Sequence, residues 1–162
     1  MWEFLADIAA GSFLNQWIQT TYWLWPVLEI VHFLGLSLLI GGLLVVDLRM
    51  IGVNQTLDLR ATHQMLPVVL LGFVINAITG VLFFYGDPMR YSVNIGFQIK
   101  MALILFAGLN AAFFHLRLSS AIAAGDGNPP PSFQVKLAGS ISLATWAAVL
   151  LLGRLIPYVG TG

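Results

Sequence analysis

The sequence predicts an all-α membrane protein, a four-transmembrane-helix up-down bundle with an amphipathic interfacial segment at its N-terminus. The first observation is composition, because 59% of the residues are hydrophobic and only 9% are charged, against about one quarter charged in soluble domains. The second is the mean hydropathy of +0.89. The third is a set of four apolar stretches, each close to the roughly 20 residues that a helix needs to cross a bilayer core.

The elements follow one another along a single membrane domain, residues 1–162. Residues 1–21 mix aromatic and aliphatic side chains with Glu3, Asp7 and polar amides, a pattern typical of helices that lie along the membrane surface. The predicted spans cover residues 24–46, 64–85, 96–118 and 137–158. Their connections are too short for another domain, so consecutive spans are expected to be antiparallel neighbours.

Several absences in the sequence limit its chemistry. No positively charged region precedes the first apolar residues, so a cleaved signal peptide is not expected. The chain contains no cysteine, which excludes disulfides, iron–sulfur clusters and covalently attached c-type haem. Acidic and basic residues are equal in number and no basic cluster occurs, so nucleic acid is not an expected partner.

The distribution of Arg and Lys outside the spans predicts the orientation. Arg49 and Arg60 bracket the first connection, Arg117 and Lys136 bracket the third, and the second carries only Arg90. Because cytoplasmic loops carry the excess of positive charge, the first and third connections should be cytoplasmic. We therefore expect a multi-pass protein of the bacterial cytoplasmic (inner) membrane with both termini in the periplasm.

Four ionisable residues are expected at similar depths in the outer half of the bilayer, roughly 4–10 Å from its middle at 1.5 Å per residue. They are Glu29, His32, Lys100 and Arg154. Ionisable groups in hydrocarbon are costly and usually mark function, so the sequence predicts a buried polar cluster. The alternative is that Lys100 and Arg154 extend to the surface, or that Arg154 and Glu29 form a purely structural ion pair.

The histidines suggest a haem, because bundle cofactors are commonly held by facing side chains. His63 and His115 differ in expected depth by about 5 Å, whereas His32 and His115 differ by roughly 16 Å. The better bis-histidine pair is therefore His63 with His115. His32 is a candidate ligand of a second haem, or a member of the outer cluster. The arginines expected near the inner pair, where they could bind propionates, are Arg49, Arg60 and Arg117.

Copper is the alternative cofactor, with His32 and His115 as its candidate ligands. Imidazole binds copper and thioethers suit Cu(I), and Met50 and Met65 are expected near the inner histidines. No dense Met motif occurs, so b-type haem is the preferred interpretation. The small residues beside His115, Gly108, Ala111 and Ala112, leave room for a flat macrocycle but equally suit close helix packing.

Five stretches carry a family resemblance: WLWPVLEIVHFLGLSLLIGGLLVVDLRMIG from Trp23, ITGVLFF, FQIKMALILFAGLNAAFFH, VKLAGSISLATW and GRLIP. The chain resembles an uncharacterised bacterial family of small four-span membrane proteins, itself similar to the membrane domain of the copper-resistance D family. The resemblance implies the four-span fold but no settled activity. The matching positions are Glu29, His32, Asp47, Arg49, Lys100, Asn110, His115, Lys136 and Arg154; His63 lies outside them.

The sequence therefore predicts a membrane protein that binds a redox cofactor, b-type haem, and transfers electrons. The competing classes are a copper or small-ion transport module and a non-catalytic subunit of a larger membrane complex. The expected partners are the lipid bilayer, a quinone, a periplasmic redox or copper protein, and further copies or subunits. Whether the protein is an enzyme is left open.

Overall fold

The computed structural model describes residues 1–53, 56–58, 62, 64–117 and 130–158. Within these ranges the chain forms helices and no strand: α1 (Trp2–Ala9), α2 (Phe13–Thr20), α3 (Leu24–Ile51), α4 (Leu66–Gly86), α5 (Pro88–Val93), α6 (Ile95–Arg117) and α7 (Phe133–Leu155). Four of them, α3, α4, α6 and α7, are long and apolar enough to cross a membrane. The predicted all-α, four-span fold is confirmed, and the chain is a multi-pass membrane protein.

Two helix ends differ from their predicted positions by four or five residues, more than the other ends do. The first span continues to Ile51 and ends at Gly52, whose left-handed φ of 97° and backbone bonds to Leu48 and Arg49 close the helix, as glycine commonly does. Asp47 and Arg49 are therefore inside α3 and buried, not in a connection. The last span begins earlier than predicted because the Ser132 side chain caps α7 by accepting a hydrogen bond from the Val135 amide.

The bundle has two chemically different ends. At one, which we call the aromatic end, α1, α2 and α5 lie beside the start of α3 and the end of α4. The Asn15 side chain of α2 donates to the carbonyl of Tyr85, 2.7 Å away, so α2 caps the last turn of α4. At the opposite, basic end, a small core packs around the last turns of α3 and α6 and the first turns of α7; its members are Val46, Met50, Phe114, Val135 and Ala138.

The spanning helices pack in the order α4, α3, α7, α6. The closest approach is between α3 and α4, where glycines face each other. A Cβ added to Gly72 would lie 2.5 Å from the Leu39 amide nitrogen and 2.7 Å from the Gly35 carbonyl oxygen. Small residues allow this approach, which supplies the packing contacts that hold helices together in lipid.

The second and third spans, α4 and α6, are antiparallel but do not pack along their lengths. Their contact is at the aromatic end, where the rings of Phe84 and Phe97 stack with centroids 5.9 Å apart. Trp2 of α1 packs against both rings, and α5 separates the two helices in sequence. The expectation that these consecutive spans are close neighbours is therefore met only at the aromatic end. We call the remaining boundary between them the α4–α6 seam.

Candidate functional site

The candidate site begins with His32, a half-buried residue on the face of α3 that packs against α4. Its Nδ1 lies 2.7 Å from the hydroxyl oxygen of Thr79 on α4. That hydroxyl donates its own proton to the Ile75 carbonyl oxygen, also at 2.7 Å. Because the hydroxyl has only one proton, it accepts from His32, and the neutral imidazole carries its proton on Nδ1. Nε2 is then left with a lone pair.

The orientation of the His32 ring is fixed from a second side. The ring of Phe83, one helical turn beyond Thr79 on α4, meets the imidazole edge to face with centroids 5.4 Å apart. Hydrogen bonding to Thr79 and packing against Phe83 together allow the imidazole little rotation. The α3–α4 pair therefore presents His32 as a rigid, oriented nitrogen base.

Lys100 approaches the same region from α6. Its ammonium group is partly buried against α7, where Nζ would lie 3.3 Å from a Cβ added to Gly153. The missing side chain at Gly153 leaves the space that Lys100 fills. Lys100 is also the charged group that acts electrostatically on His32. Within the described part of the chain, the Lys100 ammonium group forms no ion pair or hydrogen bond, so it lacks a protein counter-ion there.

The other two members of the predicted outer cluster are on the outside of the bundle. Glu29 is exposed, and its carboxylate accepts a hydrogen bond of 3.1 Å from the indole of Trp25. Arg154 is also exposed, with its guanidinium carbon 5.8 Å from the centre of the Tyr158 ring. Lys100 is thus within electrostatic range of His32, and Glu29 and Arg154 have aromatic partners. Membership of Glu29 and Arg154 in one coupled site stays a prediction.

Uncharged polar residues of α4 contribute to the site and were not among the predicted site residues. Thr79 is one, and Asn76, about one turn away, is the other. The Asn76 side chain donates to the Gly72 carbonyl oxygen at 2.9 Å, while its own oxygen is buried with no hydrogen-bond partner among the described residues. The signal in the sequence was the spacing of Asn76 and Thr79, which places both on one face of the second span.

The predicted inner haem site is only partly within the described residues. His63 and Arg60 lie outside them. His115 and Arg117 are exposed near the end of α6. Arg49 is 1% exposed and its Nε donates to the Leu57 carbonyl oxygen, so it secures the segment after α3. The pairing of His63 with His115 stays a prediction.

His32 and His115 are too far apart to ligate one metal ion within one chain. Both α3 and α6 begin at the aromatic end, His32 lies eight residues after Leu24 and His115 twenty residues after Ile95, and the difference of twelve residues is about 18 Å at 1.5 Å per residue. Among the described residues, no group of three His, Asp or Glu side chains could hold a metal ion. Any metal at His32 therefore needs ligands besides clustered protein side chains.

Outside the spans, α5 carries Tyr91, a partly buried tyrosine. Burial raises the pKa of its phenol, and the charges of Asp87 and Glu29 add to that effect while Arg90 opposes it. Its ring packs against Phe97 with centroids 5.4 Å apart. Tyr91 therefore belongs to the aromatic group that closes the α4–α6 seam at the aromatic end.

No family model, no curated protein and no solved structure matches this chain. Its function is accordingly argued from the site alone.

Proposed function

We propose that the protein is a membrane-embedded redox protein that binds b-type haem, with His32 as the residue that would bind the iron. The observation that carries the proposal is the pair of hydrogen bonds from His32 to Thr79 and from Thr79 to the Ile75 carbonyl oxygen. Histidines that bind metals almost always donate their other ring proton to a fixed acceptor, which sets the tautomer and the ring orientation. His32 has this arrangement with Nε2 available.

Lys100 supports the same cofactor for a different reason. A cation in the membrane interior needs an anion nearby, because the charge is costly to keep there alone. Haem b carries two propionates, and the Lys100 ammonium group, which lies against α7, is suited to bind one of them. A bound haem would thus account for both unusual features of the site. Its iron would bind the free electron pair on Nε2 of His32, and a propionate would be the counter-ion of Lys100.

The α4–α6 seam supports the proposal as a place for a flat ligand. The two helices are held at the aromatic end by Phe84 and Phe97 and do not pack against each other elsewhere. His32 belongs to the α3–α4 pair and Lys100 to α6, so the two residues are on helices at opposite sides of the seam. A haem bound there would supply a one-electron iron couple, and the surrounding helices would exclude water from it.

The orientation proposed for the protein follows from the basic residues. Arg49, Arg117 and Lys136 are all near the basic end, which we assign to the cytoplasmic side of the inner membrane. Both termini are then periplasmic, and the His32 site is in the periplasmic half of the bilayer. A membrane quinone or a periplasmic redox protein is the partner that this position favours.

Reporter fusions test the orientation. Fusions after residue 162 should have periplasmic activity, and fusions within residues 125–131 should have cytoplasmic activity. The reverse pattern would move the His32 site to the cytoplasmic half and exclude a periplasmic donor, without changing which residues form the site.

Absorption spectroscopy tests the cofactor. The protein should be expressed with added 5-aminolevulinate, purified in dodecyl maltoside, and examined for a Soret band and for haem in a pyridine extract. We expect about one haem per chain in the wild type and at least a tenfold loss in His32→Ala. His115→Ala is the matched control, because it removes an exposed histidine from the opposite end of the bundle and should leave this haem in place.

Two results would contradict the proposal. Absence of haem from folded wild-type protein would exclude it, and metal analysis of that sample would then test the copper alternative. Retention of the full spectrum in His32→Ala, with loss in His115→Ala, would move the haem to the predicted inner site. Thr79→Val keeps the ligand but removes its acceptor, so an altered reduction potential there is a readout that a purely structural role for Thr79 would not produce.

A further inference from the structure

A buried carboxyl group lies near the basic end, between α3 and α7. Asp47 of α3 is only 2% exposed, and the Ser142 hydroxyl of α7 provides one hydrogen bond to it. The other carboxyl oxygen, Oδ2, is buried and has no hydrogen-bond partner among the described residues. An ionised carboxylate in an apolar interior is costly unless its charge is paired, and one hydroxyl does not supply a charge.

The described part of the chain pairs no cation with this carboxyl. Arg49 is only two residues further along α3, but residues two apart do not face each other on a helix, and its Nε donates to the Leu57 carbonyl oxygen. The titratable side chains that α4, α6 and α7 carry toward the aromatic end are Tyr85, Lys100 and Arg154. The other titratable side chains described near the basic end are all exposed: Asp58, His115, Arg117 and Lys136.

The packing around Asp47 encloses the carboxyl. Gly139 of α7 lies so close to α3 that an added Cβ would be 2.9 Å from the Met50 Cβ and 3.2 Å from the Asp47 carbonyl oxygen. Gly139 and Ser142 are three residues apart and share one face of α7. The groove that runs beside Asp47 between the two helices has an entirely apolar surface, so a ligand in it would not reach Oδ2. A proton is the counter-charge that needs no further space.

We propose that Asp47 is a proton-binding site that holds α3 against α7: its carboxyl is protonated at neutral pH while the two helices are packed, and it releases the proton only when they separate. A neutral carboxyl leaves one uncharged oxygen without a partner, whereas a carboxylate would leave a full charge, which costs far more to bury. Ionisation requires water at Oδ2, and the close approach at Gly139 keeps water out. Proton release and opening of the α3–α7 interface are therefore one event.

The site is separate from the proposed haem site. His32 and Asp47 are fifteen residues apart on α3, about 22 Å along the helix axis. With the basic end on the cytoplasmic side, Asp47 exchanges its proton with the cytoplasm, and a rise in cytoplasmic pH loosens α3 from α7. The haem proposal and this one fail independently, because the experiment below detects the Asp47 carboxyl itself.

Infrared spectroscopy tests the proposal in purified protein in dodecyl maltoside, with ¹³C in the side-chain carboxyls of aspartate. Folded wild type at pH 7 should have the carbonyl stretching band of one protonated carboxyl per chain, displaced by the label, and Asp47→Asn should lack it completely. The asparagine has the size and neutrality of the protonated acid, so this variant should fold. Asp7→Asn is the matched control, because it makes the same substitution at an exposed carboxyl of α1 and should keep the band.

The pH dependence of stability is the second measurement. An aspartate in the unfolded chain is ionised above about pH 4, so a folded state that keeps the proton binds one proton more than the unfolded state does. The free energy of unfolding then falls as the pH rises. From pH 5 to 8, the unfolding equilibrium constant of the wild type should rise relative to that of Asp47→Asn, by up to about tenfold per pH unit. Asp7→Asn should follow the wild type.

Ser142→Ala keeps the test decisive if Asp47→Asn does not fold. It retains the carboxyl and removes its one hydrogen bond, so the band should remain but move in frequency. Absence of the band from folded wild type would overturn the proposal, because the carboxyl would then be ionised. Persistence of the band in folded Asp47→Asn, or an unmoved band in Ser142→Ala, would equally overturn it by assigning the proton to another group. His32→Ala should keep the band whether or not it binds haem.

Discussion

Helix α4 meets its two spanning neighbours in opposite ways. Against α3 it packs at backbone distance, so that a methyl group added at Gly72 would lie 2.5 Å from the Leu39 amide nitrogen. Against α6 it makes contact only at the aromatic end, through Phe84 and Phe97. Lipid tails are as apolar as the helices themselves, so close packing of small residues is what holds helices together in a bilayer. The α3–α4 pair has that packing and the α4–α6 seam does not.

This difference explains how the proposed haem site could hold the His32 imidazole in a fixed orientation and still admit a ligand from the membrane. His32, Thr79 and Phe83 all belong to the tightly packed pair, so the nitrogen base is oriented before any ligand arrives. Lys100 belongs to the opposite side of the seam, where α6 can adjust without breaking the α3–α4 contact. In the proposed haem site, the α3–α4 wall would provide orientation, and the α4–α6 seam would provide the way in from the membrane.

The largest expected effect comes from breaking the tight pair. Gly72→Ala inserts a methyl group against backbone atoms of α3, which cannot rotate away. Overpacking of this kind costs typically 1–3 kcal/mol, and we expect at least that loss together with disruption of the nearby hydrogen bond between His32 and Thr79. The measurement is the apparent Tm in dodecyl maltoside, followed by tryptophan fluorescence.

Gly80→Ala is the control for that substitution, because a Cβ at Gly80 would meet no other atom within 4 Å. Replacing a helical glycine by alanine is favourable by up to about 1 kcal/mol, so this variant should melt at or above the wild-type temperature. Equal apparent Tm values for Gly72→Ala and Gly80→Ala would mean that α3 and α4 separate at little cost. That result would contradict the conclusion that α4 packs more tightly against α3 than against α6.

A smaller effect is expected from opening the seam. Phe84→Ala removes the ring that stacks on Phe97 and contacts Trp2, and aromatic pairs contribute about 0.5–1.5 kcal/mol beyond their burial. The chain has no cysteine, so spin labels can be attached at introduced cysteines alone. Labels at Leu71 and Leu109, both exposed, should report a broader distance distribution across the seam in Phe84→Ala.

Labels at Leu34 and Ile78 provide the internal reference, because they report on the α3–α4 pair and should be unchanged. Phe106→Ala, which removes an exposed ring from α6, should affect neither distribution. Equal broadening at both label pairs would show that the bundle loosens as a whole, and that the aromatic group does not specifically close the seam.

The sequence was sufficient for the spans because the bilayer dictates their length and composition. It also located the break at Gly86, Asp87 and Pro88: α4 ends at Gly86, and the Asp87 side chain caps α5 by accepting from the Arg90 amide. The end of α3 was predicted too early. The charges of Asp47 and Arg49 suggested that the first span ends before them. Both residues are instead buried inside α3, which continues to the cap at Gly52.

Depth along a span could be predicted, but the rotation of each helix could not. Counting residues put Glu29, His32, Lys100 and Arg154 at similar levels, yet His32 and Lys100 are partly buried while Glu29 and Arg154 are exposed. Thr79 and Asn76 were missed because small uncharged polar residues are ordinary in membrane helices, where they often bond to their own backbone. Their roles depend on which helix each one faces.

The smallest expected effect is an alkaline loosening of the same aromatic group. Burial raises the pKa of Tyr91, so above about pH 10, the ordinary value for tyrosine, the unfolded chain loses this proton while the folded chain retains it. The unfolded state then binds fewer protons, and the free energy of unfolding falls as the pH rises. Tyr91→Phe should remove this contribution, which we expect to be at most about 1 kcal/mol because solvent reaches part of the ring. The measurement is the difference in apparent Tm between wild type and variant from pH 8 to 11, with Tyr22→Phe as control, since Tyr22 is 90% exposed. A constant difference across that range would show that the Tyr91 phenol ionises equally in both states, and that the aromatic end closes the seam without any help from keeping that ring neutral.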